Sequence, residues 1–338
     1  MSWYLENGKD SDIVISSRIR LARNVRDFCF ERKMSKDDKE KLLDKIKFVT
    51  PSIGYGLKFM YMRDMDDITK NVLFEKNLIS SEMVRDRLNE GAILINDDEN
   101  ICIMLNTEDH IRLQVFASGL DLQNTMNLAI EIDEKLDELL GFSYNKQYGF
   151  LTACPTDVGT GLKASVIVHL PALKMTGNLG KILKIVNSFG MTIRDVYGEE
   201  NRAKADVYEI SNNQTLGMSE KEIVANLENI TKQVIEQERL ARKYLAKNTN
   251  DLEDRIYRAY GTLTNARKIT SEECRDLLSD VKLGTDLGII TELNDSKVKE
   301  LMLYTKPANM QKYLGKKLEP QERITKRREA IMMIIAEK

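Results

Sequence analysis

Two arginines sit two residues apart in the run Ser16-Ser17-Arg18-Ile19-Arg20-Leu21, with Arg23 just beyond. In an extended chain alternate residues share a face, so Ile13, Ile15, Ile19 and Leu21 form one side of a strand over residues 12–23. Ser16, Arg18 and Arg20 then form the other. Like charges on one face repel, and a bound anion relieves the repulsion. A solvated strand face tolerates it too, and spacing does not choose between the two.

Three further groupings have chemical potential. In Asn106-Thr107-Glu108-Asp109-His110-Ile111-Arg112, adjacent carboxylates and an arginine follow an apolar run. Such a loop suits a bound cation, a Mg²⁺ ion or a general base, and acidic turns without any such role are common. Cys154-Pro155-Thr156-Asp157-Val158-Gly159-Thr160-Gly161-Leu162-Lys163 has glycines that let backbone approach a ligand and N–H groups that can cradle phosphate. Its spacing is not that of a Walker A loop. Cys154 fits a buried core thiol or a thiolate beside a cationic substrate. Arg194-Asp195-Val196-Tyr197-Gly198-Glu199-Glu200 alone reads as a charged turn.

These groups need a scaffold. Residues 35–48 have a charged helical pattern. Ala92–Ile95 and Ile101–Asn106 are apolar strands bounded by turn residues. Residues 121–140 repeat apolar positions at helical spacing and stop at Gly141. Phe150–Cys154 and Ala164–Leu170 are β-rich, a helix is expected over about residues 171–189, and 191–210 reads as strand, polar excursion and returning strand. Ser219 and Glu222 form a capping box ahead of a long amphipathic helix. Beyond about residue 246 only helical periodicity remains, with breaks expected at Gly261, from Gly284 to Gly288, and near Pro307 and Pro320. A mixed α/β unit followed by a small all-helical one is the expected organisation.

Composition narrows the function classes. The chain has 338 residues, 42% hydrophobic and 31% charged, long enough for a substantial core and a second unit. Its net charge of -2 gives no general argument for nucleic acid or membrane surfaces. No apolar run is long enough to cross a bilayer, and the first residues lack a signal-peptide pattern. Four scattered cysteines, Cys29, Cys102, Cys154 and Cys274, make a disulfide framework or zinc site unexpected and suit a cytoplasmic setting. Two histidines exclude a multi-histidine metal centre by counting.

Taken in order, SSRIRLAR at 16–23, NTEDHIR at 106–112, CPTDVGTGLKASVIVHLP at 154–171, IRDVYGE at 193–199 and ISNNQTLG at 210–217 resemble the ATP:guanido phosphotransferases, the superfamily of creatine and arginine kinases. The resemblance spans roughly residues 1–245. Phosphagen kinases have a helical domain ahead of the SSR motif, whereas here the motif begins at Ser16 and a helical segment follows instead, over 246–338. That layout, with LEDRIYRAYGTLTNAR and LSDVKLGTDLGII, resembles the bacterial protein-arginine kinases.

The resemblance implies an α+β catalytic domain, an antiparallel sheet flanked by helices, followed by a small all-α domain for dimerisation. It implies ATP and Mg²⁺ as cofactors, the ion held mainly by phosphates and water. Glu108 matches the family's catalytic glutamate, Glu199 a second carboxylate on the guanidinium, and Cys154 the reactive cysteine beside it. Arg18, Arg20, Arg112 and Arg194 match arginines that clamp the phosphates. Ser16, Ser17, Ile19, Lys163, Ala164, Ser165, Val166, Ile167, Asp195, Val196, Tyr197 and Gly198 complete the matching nucleotide motifs. Lys163 stands where the family usually has arginine, Thr107 where phosphagen kinases have a second glutamate, Asn77 in place of a histidine, and Asp195 in place of a glycine. Arg323 and Arg327 fall on a phosphoarginine-docking motif whose aspartate and alanine are replaced here. Protein substrates with accessible arginines, a zinc-containing activator, a Clp-type protease and a homodimer are the implied partners. A kinase of a free guanidino metabolite, or an adaptor that has lost turnover, are the alternatives.

Overall fold

Alternation over residues 14–23 becomes a long central strand, β1 (Val14–Arg23). A computed structural model of the chain describes residues 3–85, 90–196, 205–247 and 249–337. The other strands are β2 (Lys58–Tyr61), β3 (Ala92–Ile95), β4 (Ile101–Leu105), β5 (Ile111–Ser118), β6 (Tyr144–Asn145), β7 (Gly149–Phe150), β8 (Leu162–His169), β9 (Met191–Asp195) and β10 (Val207–Asn212). Eight of them form one antiparallel sheet in the order β2-β3-β4-β5-β1-β8-β10-β9, and β6 pairs with β7.

Helices α1 (Lys36–Ile53), α2 (Asp67–Glu75), α3 (Ser81–Arg85), α4 (Leu122–Leu140), α5 (Pro171–Met175), α6 (Leu179–Ser188) and α7 (Glu220–Leu245) flank the sheet. Helices α1, α4 and α7 bury Leu42, Ile46, Ala129, Leu136 and Leu227 against Ile19, Leu21, Leu113 and Val166. On the opposite face, residues from α2 to α3 pack Leu73, Leu78 and Met83 onto Ile93, Cys102, Met104 and Phe116. Both faces of β3 and β4 are therefore covered, which is why those strands are apolar without alternation. The second face of β1, β8, β10 and β9 carries the charged residues.

The C-terminal segment is entirely helical among its described residues: α8 (Thr249–Asn265), α9 (Ser271–Asp286), α10 (Asp295–Tyr304), α11 (Pro307–Tyr313) and α12 (Pro320–Ala336). It has its own core of Ile256, Leu263, Leu278, Val281, Leu301 and Ile331. It docks on the sheet-bearing segment through polar contacts: His169 Nε2 of β8 meets Ser279 Oγ at 2.8 Å, and Lys299 donates to the Glu6 carbonyl, ahead of β1, at 2.7 Å. Arg242 of α7 reaches Asp286 of α9 at 3.3 Å.

Several local expectations change. The capping box at Ser219 and Glu222 forms. Gly261 and Gly284 lie inside α8 and α9 without ending them, while Gly288 follows the end of α9 and Pro307 and Pro320 open helices. The expected helix over 171–189 is two, α5 and α6, parted at Gly177 with its φ of 70°. Of Phe150–Cys154 only Phe150 is strand, because the Leu151 and Ala153 N–H groups go to the Ser143 carbonyl and the Asp109 carboxylate. Strand β5 was not anticipated, although Arg112, Gln114 and Phe116 alternate with Ile111, Leu113 and Val115. Ile15 is not in the core face: the register slips between Val14 and Ser16, so Ile13 and Val14 are buried instead.

Candidate active site

The antiparallel register gathers the basic residues. Arg18 lies opposite Ser165, Arg20 opposite Lys163, and Arg20 also opposite Gln114 on β5. Arg112 pairs with Ala22, on the same face as Arg20, and Arg194 of β9 pairs with Glu209 of β10. Five cations from four strands thus face one surface: Arg18, Arg20, Arg112, Lys163 and Arg194.

Their crowding shows in their acidities. Burial, then the charges of Arg18 and Arg112, pull the Arg20 guanidinium down to about 10. Burial, Arg194 and Arg20 push the Lys163 ammonium down as well. A group that holds its proton less firmly here than in water gains from an added anion, so the surface is built for one.

Glu209 is the counter-charge that sequence reasoning missed. It accepts from Arg18 Nη2, and Arg194 Nε lies 3.3 Å from its Oε2. Burial raises its carboxyl, but Arg18, Arg194, Ser165 and Lys163 together bring it below the ordinary value. A lone carboxylate alternating with Tyr208 and Ile210 was the available signal.

At one end of this row stands Glu108. Its Oε2 accepts from Arg112 Nη2 at 3.0 Å, and the carboxylate is about a third exposed beside a recess bordered by Glu31, Arg32, Lys39, Glu82 and Glu90. The loop is held from below. Asp109, fully buried, accepts from Asn24 Nδ2 and from the Ala153 N–H, both at 2.7 Å. One carboxylate therefore ties the Glu108 loop to the Cys154 segment. Burial raises its pKa, and the Ala153 and Asn24 bonds oppose that. His110 accepts from the Val25 N–H at Nδ1, so Nε2 carries the proton and donates to the Cys29 carbonyl at 2.7 Å. It is a neutral structural group whose pKa burial lowers.

Cys154 is partly buried, with Sγ 2.9 Å from Thr156 Oγ1, so of the two sequence readings the fully buried core thiol is set aside. The glycines after it do not cradle a ligand. A Cβ on Gly159 would overlap the Thr215 carbonyl oxygen, and one on Gly161 would lie 2.7 Å from the Ala22 carbonyl oxygen. The Thr160 N–H goes to the Thr215 carbonyl. Close chain packing, not phosphate, explains both positions.

The period of two also divides the expected nucleotide residues. Ser16, Arg18, Arg20, Lys163, Ser165 and Ile167 share the site face. Ser17, Ile19, Ala164 and Val166 point to the opposite one, where the last three join the core and Ser17 Oγ donates to the Gly119 carbonyl. Their side chains therefore make structural contacts away from the site face. Asp195 and Val196 follow Arg194 at the sheet edge, and the Val196 N–H bonds the Val207 carbonyl. Tyr197, Gly198 and Glu199 lie outside the described residues.

Arg327 is buried, its Nε and Nη1 donating to the carbonyls of Thr305 and Ile269, and Arg323 Nε donates to the Leu318 carbonyl. These bonds tie α12 to neighbouring helices. Among the described residues no three His, Cys, Asp or Glu side chains converge to hold a metal ion.

Beyond Ser16 the same face runs into a cavity of about 330 Å³ walled by Ile15, Ile167, Val207, Phe74 and Asn77. The surface therefore has three parts in line: an apolar cavity, a cationic row and a carboxylate.

Residues 40–241 match the family described as ATP:guanido phosphotransferase, C-terminal catalytic domain, and residues 249–337 match the protein-arginine kinase McsB C-terminal domain. The protein-arginine kinase of Halothermothrix orenii is 45% identical over 331 residues, 97% of this chain and 95% of that protein. The chain belongs to the protein-arginine kinase family. The Bacillus subtilis (strain 168) protein-arginine kinase is 42% identical, over 96% of this chain and 91% of that protein. Among solved structures, lombricine kinase has a TM-score of 0.60 at 25% identity, covering 71% of each chain. The duplicated taurocyamine kinase of Schistosoma mansoni, with bound transition state analog components, has a TM-score of 0.61 at 26% identity. It covers 69% of this chain, which spans about a third (34%) of that duplicated one. The two family matches fall on the two segments, the first on the sheet with its flanking helices and the second on the C-terminal helices.

Proposed function

We propose that this chain is an ATP-dependent kinase that phosphorylates the guanidinium groups of arginine residues in proteins. The observation that carries the reading is the cationic row of Arg18, Arg20, Lys163 and Arg112 leading to the carboxylate of Glu108.

A guanidinium is a weak nucleophile while fully protonated. Glu108 grips it and takes the proton released as the N–P bond forms. The bond between the γ-phosphorus and the β,γ-bridging oxygen breaks, and ADP leaves with that electron pair. Arg18, Arg20, Lys163, Arg112 and Arg194 neutralise the phosphates and hold them in line, which is most of what phosphoryl transfer asks of a protein. Cys154 lies beside the substrate end and orients it without covalent chemistry, and Glu199 takes the other edge of the guanidinium. Mg²⁺, when bound with the nucleotide beside Arg18, Arg20 and Lys163, would be held mainly by phosphate and water and would supply further neutralisation of phosphate charge.

The choice of protein arginine over a free metabolite rests on the full-length similarity to protein-arginine kinases and the C-terminal match. A cytoplasmic setting, a homodimer through the C-terminal helices, phosphoarginine docking at Arg323 and Arg327, a zinc-containing activator and a Clp-type protease belong to the same reading.

The test is incubation with Mg-ATP, an unfolded protein and free arginine, followed by phosphosite mass spectrometry without acid. Phosphate on protein arginine is expected. Label on free arginine alone would replace this reading with a metabolite kinase, and no ATP turnover would leave the adaptor.

A further inference from the structure

The cavity at the end of the cationic row has walls from two segments that are far apart in sequence. Its floor is the sheet: Ser16 and Ile167, paired across β1 and β8, stand next to Arg18 and Ser165 in the register. Its roof is the C-terminal segment, with Met302 and Leu303 of α10 and Lys306 and Pro307 at the start of α11. At about 330 Å³ it sits at the small end of the range for ligand pockets, about 300–1,000 Å³. Apolar walls joined by polar and charged groups, among them Ser16, Glu75, Asn77, Lys299 and Lys306, suit a flat heteroaromatic base and a ribose.

The residues that roof the cavity also close the two segments together. Glu75, at the end of α2, accepts from the Ala308 and Asn309 N–H groups at 2.8 and 2.9 Å and from Asn309 Nδ2 at 2.8 Å. Lys306 Nζ donates to the Glu75 carbonyl at 2.7 Å. Glu75 and Lys306 both line the cavity. Lys299, on the same wall, reaches the Glu6 carbonyl and, at 2.8 Å, Asn7 Oδ1. Movement of α10 and α11 away from α2 and the N-terminal residues would break these bonds and remove the helical part of the cavity wall together.

Resting on the nucleotide reading above, we infer that the C-terminal helices complete the nucleoside end of the ATP site, so that nucleotide binding and docking of α10–α11 on α2 and the N-terminal residues stabilise each other. The phosphates lie on the catalytic sheet alone, whereas the nucleoside touches both segments. By linkage, a ligand that contacts both segments favours the docked state, and the docked state favours that ligand. Any contact elsewhere that displaces α10–α11 would then weaken nucleotide binding without touching the arginines.

Amide hydrogen exchange on the full-length protein separates these parts, with ADP and inorganic tripolyphosphate as the two probes. Tripolyphosphate can occupy only the cationic row. ADP is expected to slow exchange across residues 295–313, while tripolyphosphate protects β1 and β8 and leaves 295–313 unchanged. Met302→Trp, which fills the cavity from the helical side, is expected to weaken ADP at least tenfold and leave tripolyphosphate affinity as it was. If ADP protects the strands but not 295–313, or if M302W binds ADP as the unmodified chain does, the inference falls while the kinase reading stands. If the unmodified chain binds neither probe, the nucleotide reading itself falls.

Discussion

Glu108 and Arg112 meet at 3.0 Å, joining the exposed carboxylate at one end of the site to the last cation of the row. The same arginine side chain is almost wholly buried, so this pair has little freedom to reorganise when ligands arrive. Under the proposed function, a base held against the phosphate clamp in this way would be placed before the substrate binds, lowering the entropic part of the barrier.

Glu108→Gln keeps the hydrogen bond to Arg112 but cannot take a proton. Turnover should fall by about 10²–10⁴-fold with nucleotide affinity within a few fold of the original. Steady-state kinetics paired with an ADP titration checks both halves. Equal losses in binding and turnover would mean Glu108 supports Arg112 and is not the base.

Cys154→Ala tests whether sulfur takes part covalently. With Cys154 proposed as an orienting group, kcat should drop by about tenfold or less, roughly 1.4 kcal/mol of barrier. A complete loss, together with a phosphorylated or thiol-linked species in intact-mass spectra of the unmodified chain, would argue for a nucleophile.

Gly159→Ala probes the loop that carries the cysteine. The position has a φ of 115° and faces the Thr215 carbonyl, so an added methyl group brings both strain and overlap. A stability loss of about 1–3 kcal/mol is expected. Denaturant unfolding measures it, and an unchanged midpoint would show that the loop relaxes freely.

The interface between α7 and α9 should be pH-sensitive. Burial lifts the Asp286 carboxyl to about 6, against the attraction of Lys282 and Arg242. Its folded-state value thus exceeds that of an unfolded aspartate, about 3.9. The folded chain holds this proton more tightly, so the contribution is full below about pH 3.9 and is lost as pH rises through 6. Asp286→Asn should flatten the fall in unfolding free energy between pH 4 and 7 by on the order of 2 kcal/mol, whatever its effect on absolute stability. Parallel profiles for the two proteins would locate the titration elsewhere.

Read without coordinates, the chain already yields its chemistry. Alternation places Arg18 and Arg20 on one strand face, and ordered motifs supply Glu108, Cys154, Arg112 and Arg194. Local signals also mark the capping box at Ser219 and the all-helical character after residue 246, because caps and helical periodicity involve neighbours within a few residues. Strand pairing is not local. Glu209 becomes the partner of Arg18 and Arg194 only because β10 lies between β8 and β9. Asp109 becomes the tie between two loops only because residues 109 and 153 meet across the fold. The roles of Gly159 and Gly161 were open to either ligand or packing, and only the approach of Thr215 and Ala22 decided for packing. The cavity between Ile167 and Lys306 is the furthest from legibility, since these residues come from segments with separate cores. The sequence by itself determined which side chains could bind phosphate and grip a guanidinium, since that follows from residue type and short spacing. Tertiary structure alone decided which of them face the same space, because that depends on register and docking between distant segments.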